Sequence, residues 1–322
     1  MLPIGPVVPG ATDSGLVKQL HMRDARKDKD ESGRMKTENS FFSFHNSSLL
    51  MSSLLLAILY LLSSASFAAA NTFDDALAVY ERGDYVQAMK LFRQLADNGH
   101  QWAQRRVGLM YAEGKGVPQD YQEAVKWYRL AAAQGNVPAQ YSLGLAYEKG
   151  KGVTQDYQEA INWYRIAATR EDEWAQTRLG SIYAEGKGVT QDYQEAVKWY
   201  RLAAVQGYAP AEYRLGAAYE KGQGLPQDYQ EAVKWYRLAA AQGNELAQVN
   251  LGVMYAKGRG VGQDFVRAHM WFNLAAAASN GDSRDTATEN LNRIASKMTA
   301  EQIGTAQEMA RRCQESRLKK CD

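Results

Sequence analysis

One thirteen-residue segment recurs along the chain and constrains its fold more than any other feature. The segment, Asp-Tyr-Gln-Glu-Ala-Val-Lys-Trp-Tyr-Arg-Leu-Ala-Ala, occupies 120–132, 192–204 and 228–240, and a copy with three changes occupies 156–168. Its tryptophans set a period of 36 residues, at Trp127, Trp163, Trp199, Trp235 and Trp271. A period of this size is typical of an array whose units bury their apolar faces only against their neighbours. Function is therefore expected on a repeated surface.

Each repeat encodes two helices. In the second, called helix B here, Tyr121, Ala124 and Tyr128 lie on one apolar face, Asp120 is the expected N-cap, and Glu123 is expected to complete a capping box. In the first, helix A, an apolar stripe with small residues lets a neighbouring helix approach closely, as at Ala139, Leu143, Gly144 and Tyr147. A left-handed glycine is expected after helix B, at Gly135, Gly207 and Gly243.

Together these residues resemble the Sel1-like repeat family, which is related to the tetratricopeptide solenoids. The shared pattern is Ala-Gln-x-x-Leu-Gly-x-x-Tyr-x-x-Gly-x-Gly-Val-x-Gln-Asp-Tyr-x-x-Ala-x-x-Trp-Tyr-x-x-Ala-Ala. The resemblance implies an all-α, right-handed superhelical α/α solenoid of tandem 36-residue helix-turn-helix repeats. It further implies that the helix A face lines the concave side, and that the protein is an adaptor that binds other proteins.

The repeats divide the chain into five segments. They are a polar leader predicted to be disordered over 1–48, a signal segment over 49–70, a shortened helix pair over 71–99, five repeats over 100–279, and capping helices over 280–322. We number the five repeats in chain order. Repeat two departs from the others because Arg170-Glu171-Asp172 stands where a glycine is expected, so its helix B should leave by another geometry or run on.

The signal segment has an apolar stretch over 49–62 followed by small residues that end in Ala68-Ala69-Ala70. This pattern predicts cleavage near Asn71 and a periplasmic or secreted protein. An uncleaved anchor is the alternative, because the segment is just long enough to span a bilayer, and it would be the protein's one contact with a membrane. Since 48 residues are long for a signal's leader, we expect translation to begin at Met35, where Lys36 supplies the positive charge.

Charge and residue usage exclude several classes of chemistry. A formal net charge of +2 provides no field that would attract nucleic acid. The glycine loops have neither the strand context nor the spacing of a phosphate-binding motif. Only His100 and His269 follow the signal segment, in different repeats, so neither a metal site nor a catalytic triad is expected. The repeated Asp and Glu are interpreted as helix caps. The repeated Trp and Tyr are interpreted as core residues rather than as rings on which bases or sugars stack. We expect no cofactor and no catalytic residue.

The two cysteines lie together near the end of the chain. Cys313 and Cys321 would be about 12 Å apart on one helix. A disulfide requires less than about 7 Å between Cα atoms, so a bond between them requires the chain to turn back after Cys313. Export favours that bond, and two free thiols are the alternative.

Positions that vary between repeats suggest a binding surface on helix A, opposite its apolar stripe. Aromatic and guanidinium groups alternate there, as in many protein-binding grooves. The candidates for contact with an extended peptide or acidic segment are Trp102, Arg106, Tyr141, Arg178, Tyr213 and Arg214. The alternative is that these residues merely vary on an exposed helix face.

The sequence therefore favours an exported, non-enzymatic scaffold that binds proteins through the concave face of the array. One alternative is an enzyme, or an enzyme's accessory protein, that acts on cell-wall glycans and uses the aromatic groove as its cleft. Another is a structural protein that associates with itself, since near-identical repeats can exchange between chains.

We predict that the protein isolated from its native cells begins near Asn71, because cleavage is expected after the small residues that precede it. Intact-mass spectrometry measures this directly. With cleavage blocked, the precursor should begin at Met35. A precursor mass that begins at Met1 would refute the internal start, and a mature protein that retains 49–70 would favour the anchor.

Overall fold

The computed structural model describes residues 72–278, 281–316, 318 and 321, so the predicted leader and signal segment lie outside the described residues. Within that part of the chain there are fourteen helices and no strand. No helix in it combines the length and hydropathy needed to cross a bilayer. The helices are α1 Phe73–Glu81, α2 Tyr85–Asp97, α3 Gln101–Glu113, α4 Tyr121–Ala133, α5 Val137–Lys149, α6 Tyr157–Ala168, α7 Glu173–Glu185, α8 Tyr193–Ala204, α9 Ala209–Lys221, α10 Tyr229–Ala241, α11 Glu245–Lys257, α12 Phe265–Ala278, α13 Asp282–Ala295 and α14 Ala300–Glu315.

Helices A and B alternate as the period predicts, and the all-α solenoid fold is confirmed. The described chain divides into two compact units, an amino-terminal unit up to Trp127 and a carboxyl-terminal unit from Tyr128 onwards. Helices α5 to α12 form the four A and B pairs of repeats two to five in the carboxyl-terminal unit. From α5 to α12 each helix also packs on the next one in the chain, so apolar contacts continue from repeat to repeat within this unit.

A glycine on helix A and a tyrosine on helix B bring the two helices of a repeat together. A Cβ atom added to Gly144 would lie 2.6 Å from the Tyr164 ring, and one added to Gly180 would lie 2.5 Å from the Tyr200 ring. Both tyrosines are buried. The small residue predicted on the helix A stripe is therefore needed because an aromatic ring occupies the space of its missing side chain.

The N-cap of helix B forms as predicted, but the full capping box does not. In α8 the Asp192 carboxylate accepts a hydrogen bond from the Glu195 N–H at 2.9 Å. The Asp192 N–H is already used, because it donates to the Tyr183 carbonyl of helix A at 2.9 Å. The Glu195 carboxylate pairs instead with Lys198 Nζ at 2.8 Å. The aspartate thus holds the A–B loop as well as the helix.

Helix B of repeat two ends at Ala168, the position at which helix B of repeat three ends at Ala204, so the expected departure is wrong. Glu171 takes a left-handed conformation with φ of 64°, close to the φ of 78° at Gly207. Its N–H donates to the Ala168 carbonyl at 3.1 Å, as the Gly207 N–H does to Ala204 at 2.9 Å. A non-glycine residue in this left-handed conformation costs about 1–2 kcal/mol.

Arginine–tyrosine hydrogen bonds join successive repeats. The Arg165 guanidinium on α6 donates to the Tyr183 hydroxyl on α7, in the next repeat, at 3.1 Å. The same bond recurs at the same position along the carboxyl-terminal unit, between Arg129 and Tyr147, Arg201 and Tyr219, and Arg237 and Tyr255. Each repeat is therefore joined to the next by a polar bond in addition to its apolar contact.

The carboxyl-terminal tail is fixed to the core of the last repeat. Helix α14 ends at Glu315, and Leu318, with φ of 63°, donates its N–H to the Cys313 carbonyl at 2.9 Å. This reversal brings the Cα atoms of Cys313 and Cys321 within 4.7 Å, and their sulfurs are bonded. Cys313 is fully buried in the cluster that contains Trp271.

We predict that Gly180→Ala lowers the free energy of unfolding by about 1–3 kcal/mol, because the added methyl group overlaps the Tyr200 ring. The matched control is Gly304→Ala, at an exposed position of α14, where no atom outside the adjacent backbone lies within 4 Å of the added carbon. That change should be neutral or should stabilise by up to about 1 kcal/mol. Urea unfolding followed by circular dichroism measures both. Equal effects would contradict the close-approach interpretation.

Candidate partner-binding site

A line of aromatic rings runs across helices A of the carboxyl-terminal unit. The Tyr141 ring of α5 lies 5.5 Å from the Tyr164 ring of α6 and 6.2 Å from the Trp174 ring of α7. Trp174 in turn lies 5.0 Å from Tyr208, which directly precedes α9. Tyr208 stands at an N-cap position without forming a side-chain cap bond. Its aromatic ring therefore serves the packing between repeats three and four.

Charged and polar groups lie against this aromatic line. The Tyr164 hydroxyl donates to the Glu148 carboxylate at 2.7 Å. Two cations, Lys149 Nζ and Arg178 Nη1, each lie 3.7 Å from the same carboxylate. The Glu148 side chain is only 8% exposed, so the hydroxyl and the two cations provide the compensation that a buried carboxylate needs. Arg178 comes from repeat three, so the cluster also joins two repeats.

Burial sets the protonation states in this cluster. It raises the pKa of Tyr141 and of Tyr164, so both tyrosines stay protonated and can donate hydrogen bonds. Burial opposes the charge of Arg178, but Tyr141 and Glu148 together raise the pKa of Arg178 above its usual value. The cluster therefore presents a fixed cation beside aromatic rings.

The glutamate–tyrosine pair of this cluster returns in repeat four but not in repeat three. The Tyr236 hydroxyl donates to Glu220 at 2.7 Å and accepts from the Asn250 amide at 3.0 Å. In repeat three the equivalent of the glutamate is Ala184, and the Tyr200 hydroxyl lies 3.3 Å from the Ser181 hydroxyl instead. A glutamate that accepts a hydrogen bond from the tyrosine hydroxyl thus occurs in repeats two and four, buried at Glu148 and half-buried at Glu220.

The structure brings together two pairs of the six predicted binding residues. Tyr141 and Arg178 share the cluster of repeats two and three. Tyr213 lies 5.9 Å from the Tyr236 ring, and the Arg214 guanidinium lies 6.0 Å from the Tyr213 ring centroid. Trp102 and Arg106 belong to the amino-terminal unit, where the Arg106 guanidinium lies 5.3 Å from the Tyr80 ring.

The expectation that these six residues lie on an exposed face is wrong for three of them. Tyr141, Arg106 and Tyr213 are 1%, 2% and 8% exposed. For the two tyrosines the reason is contact with aromatic rings of helix B or of the next helix A, which turns these side chains into the space between helices. Trp102 and Arg178 are half-buried, and Arg214 is exposed.

Helix B carries exposed aliphatic side chains that the sequence analysis did not single out. They occupy one position in four successive repeats, and 43–50% of each is exposed, at Leu130, Ile166, Leu202 and Leu238. The sequence could have predicted this row, because the position is aliphatic in each copy although it lies outside the apolar stripe of helix B. Exposed aliphatic groups in a repeated row mark a second surface to be tested.

Both histidines that follow the signal segment have structural positions. His100 Nδ1 accepts the Ala103 N–H at 3.2 Å as the N-cap of α3, and its ring stacks on Phe73 at 5.3 Å. His269 is buried in the last repeat, and burial lowers its pKa. Among the described residues, no cluster of three or more His, Cys, Asp or Glu side chains has the arrangement of a metal site.

A glutamine on helix A bonds to the preceding helix B, except in repeat four. Gln140 and Gln176 donate through Nε2 to backbone carbonyls eight residues earlier, at 3.3 and 3.1 Å. The equivalent residue in repeat four is Glu212, which is 3% exposed and accepts a hydrogen bond from Gln242 at 2.8 Å. Burial raises the pKa of Glu212 to about 7, against a smaller opposing effect of that hydrogen bond.

Tandem helix pairs that each pack on the next pair define the class of α/α solenoid proteins, to which this chain belongs. The pattern of the Sel1 repeat matches the chain over 76–100, 103–136, 137–172, 175–208, 209–244 and 246–280. The chain belongs to the Sel1 repeat family, as its resemblance predicted. The first of these six matches falls on the shortened pair, α1 and α2. Proteins of this family generally mediate protein–protein interactions, and their solenoid is typically a non-enzymatic scaffold.

Solved structures of Sel1 repeat proteins are similar to this chain. A Sel1 repeat protein from Oxalobacter formigenes is 35% identical with a TM-score of 0.65, and the match covers 75% of this chain and 100% of that one. The protein c5321, a protective antigen of uropathogenic Escherichia coli strains that displays an SLR fold, is 30% identical with a TM-score of 0.49. That match covers 76% of this chain and 60% of c5321. No curated protein matches the chain.

We predict that stability falls as pH rises through about 5 to 7.5, because Glu212 binds its proton more tightly in the folded than in the unfolded state. The stability this group contributes is complete below its ordinary pKa of 4.5 and is lost as pH rises through about 7. Glu212→Gln should therefore stabilise by roughly 1–3 kcal/mol at pH 8 and flatten the profile. Urea unfolding of the wild type and of Glu212→Gln at a series of pH values measures how the free energy of unfolding depends on pH.

The matched control for Glu212 is Gln176→Glu, which places a second carboxylate at the same position of repeat three. This variant should steepen the loss of stability over the same pH range. Parallel profiles for the wild type and Glu212→Gln would contradict the assignment.

Proposed function

We propose that this protein is an exported, non-enzymatic scaffold that binds an extended acidic segment of another protein along helices A of its carboxyl-terminal unit. Protein binding is the general role of the family, and a solenoid provides a long surface for an extended chain. Export rests on the signal segment alone, which precedes the described residues.

The observation that carries this proposal is a pair of accessible arginines one repeat apart. Arg178 on α7 and Arg214 on α9 occupy the same position of helix A. The Arg178 side chain is 28% exposed and pairs with Glu148, whereas Arg214 is exposed and forms no ion pair with any described residue. Arg214 therefore offers a free guanidinium to a carboxylate of a partner.

The spacing of the arginines suggests an extended partner. Helices α7 and α9 contact each other directly, and packed helices lie about 8–10 Å apart. An extended chain rises about 3.3 Å per residue, so two carboxylates about three residues apart would reach both positions. The half-buried ring of Tyr208, which packs on the buried Trp174, provides apolar contact for the intervening residues.

We predict that Arg214→Glu abolishes partner capture while the melting temperature stays within a few degrees, because the change repels an acidic segment at an exposed position. The measurement is crosslinking in intact cells, followed by identification of the proteins joined to the tagged chain. The matched control is Lys198→Glu, on helix B, where the lysine side chain is 71% exposed.

The control should retain the partners that Arg214→Glu loses. Equal loss in the two variants, or retention in both, would refute binding along helix A. Loss only with Leu202→Glu would assign the interaction to the aliphatic row on helix B, and crosslinks only between copies of the chain would favour self-association.

A further inference from the structure

The last repeat lacks a carboxylate that repeats two and four keep. In repeat two, Glu148 is surrounded by the Tyr164 hydroxyl, Lys149 and Arg178. Three repeats later, Ala256 stands at the position of Glu148 and Phe272 at the position of Tyr164. The carboxylate and the hydroxyl that donates to it have both been replaced by apolar groups.

The cations have not been lost with the carboxylate. Lys257 stands at the position of Lys149, and the helix that follows the pair, α13, again supplies an arginine, Arg293. Around Ala256 the structure has a surface cavity between α11, α12 and α13. It is lined by Ala256, Lys257, Phe272, Arg293, Ile294 and Lys297, among others.

The cavity has an excess of positive charge. Lys257 forms no ion pair with any described residue. Burial together with the nearby Arg259 and Arg293 lowers its pKa, and the Glu220 carboxylate of α9 opposes that effect without reversing it. Arg293 pairs with Glu289, an exposed residue of its own helix, and Lys297 Nζ lies 5.9 Å from the Phe265 ring. Glu289 and Glu220 thus supply two negative charges near the three cations that line the cavity, Lys257, Arg293 and Lys297.

The floor of the cavity is apolar. Phe272 is 2% exposed and Ile294 is 5% exposed, and Val253 completes this side of the cavity. A ligand that fits such a site has an anionic group joined to a small apolar group, because the first compensates the cations and the second covers the floor.

We propose that this cavity binds a carboxylate attached to a short aliphatic group, and that the carboxylate takes the place of the missing glutamate. Two sources share this chemistry: the carboxyl-terminal residue of another protein and a free aliphatic acid. The inference is independent of the scaffold proposal, since it concerns different helices and a different part of the ligand. Failure of either leaves the other intact.

The test is a titration of the protein as purified from cells, labelled with ¹³C at its isoleucine methyl groups and observed by NMR. The probes are N-acetyl-glycyl-leucine, the same peptide with an amidated carboxyl end, and 3-methylbutyrate. The methyl signal of Ile294 should shift saturably with the free peptide acid, whereas Ile166, exposed on α6, should not move. The amide should bind at least tenfold more weakly.

A glutamate introduced into the chain at position 256 should occupy the site and compete with the ligand's carboxylate. Ala256→Glu should weaken binding of the peptide acid at least tenfold, while Ala184→Glu, the same change in repeat three, should leave it unchanged. The double variant Ala256→Glu with Phe272→Tyr restores the glutamate–tyrosine pair that repeats two and four contain. It should fold as those repeats do and should show the same weakened binding of the peptide acid. Lys257→Gln should weaken binding in the same direction without adding volume.

Each outcome decides the proposal. Tighter binding of the peptide acid than of 3-methylbutyrate would assign the site to a protein carboxyl terminus, and equal binding would assign it to a free acid. An Ile294 shift of equal size with the amide would overturn the proposal, as would no shift at millimolar probe or undiminished binding by Ala256→Glu.

Discussion

The rest of the structure depends on the contact between a glycine of helix A and an aromatic ring of helix B. At Gly144 and Tyr164 the two helices approach so closely that no Cβ atom would fit. The same contact orients the tyrosine hydroxyl toward Glu148, which gathers Lys149 and Arg178 from two repeats. A packing requirement thus places the polar cluster, and the candidate binding surface is a consequence of the core.

Most of the fold could be predicted from the sequence because the same pattern of apolar, capping and glycine residues recurs in every repeat. The 36-residue period predicted the helix pairs, and the positions of the glycines predicted where the helices end. The failures occurred where one interaction competes with another. Glu195 could not close its capping box because the loop had taken the Asp192 N–H. Glu171 adopts the left-handed conformation that glycines adopt at the same position of repeats one, three and four, at a cost that a glycine would not have.

The binding surface was harder to predict, since variation between repeats does not separate exposed positions from those wedged between helices. Tyr141 and Arg214 vary alike in the alignment of repeats, yet the first is buried against Trp174 and the second is exposed. Burial at such positions depends on contacts from the next repeat, which a single helix pattern does not contain. The cavity beside Ala256 has a simpler signal, because the loss of both Glu and Tyr from one repeat can be read in the sequence.

The arginine–tyrosine bonds, such as that from Arg165 to Tyr183, connect each repeat only with the next. Removing or duplicating one 36-residue block would therefore recreate the same arginine–tyrosine bond at the new junction. The number of repeats, and with it the reach of the molecule, can thus change in a single genetic event without any need to redesign the fold.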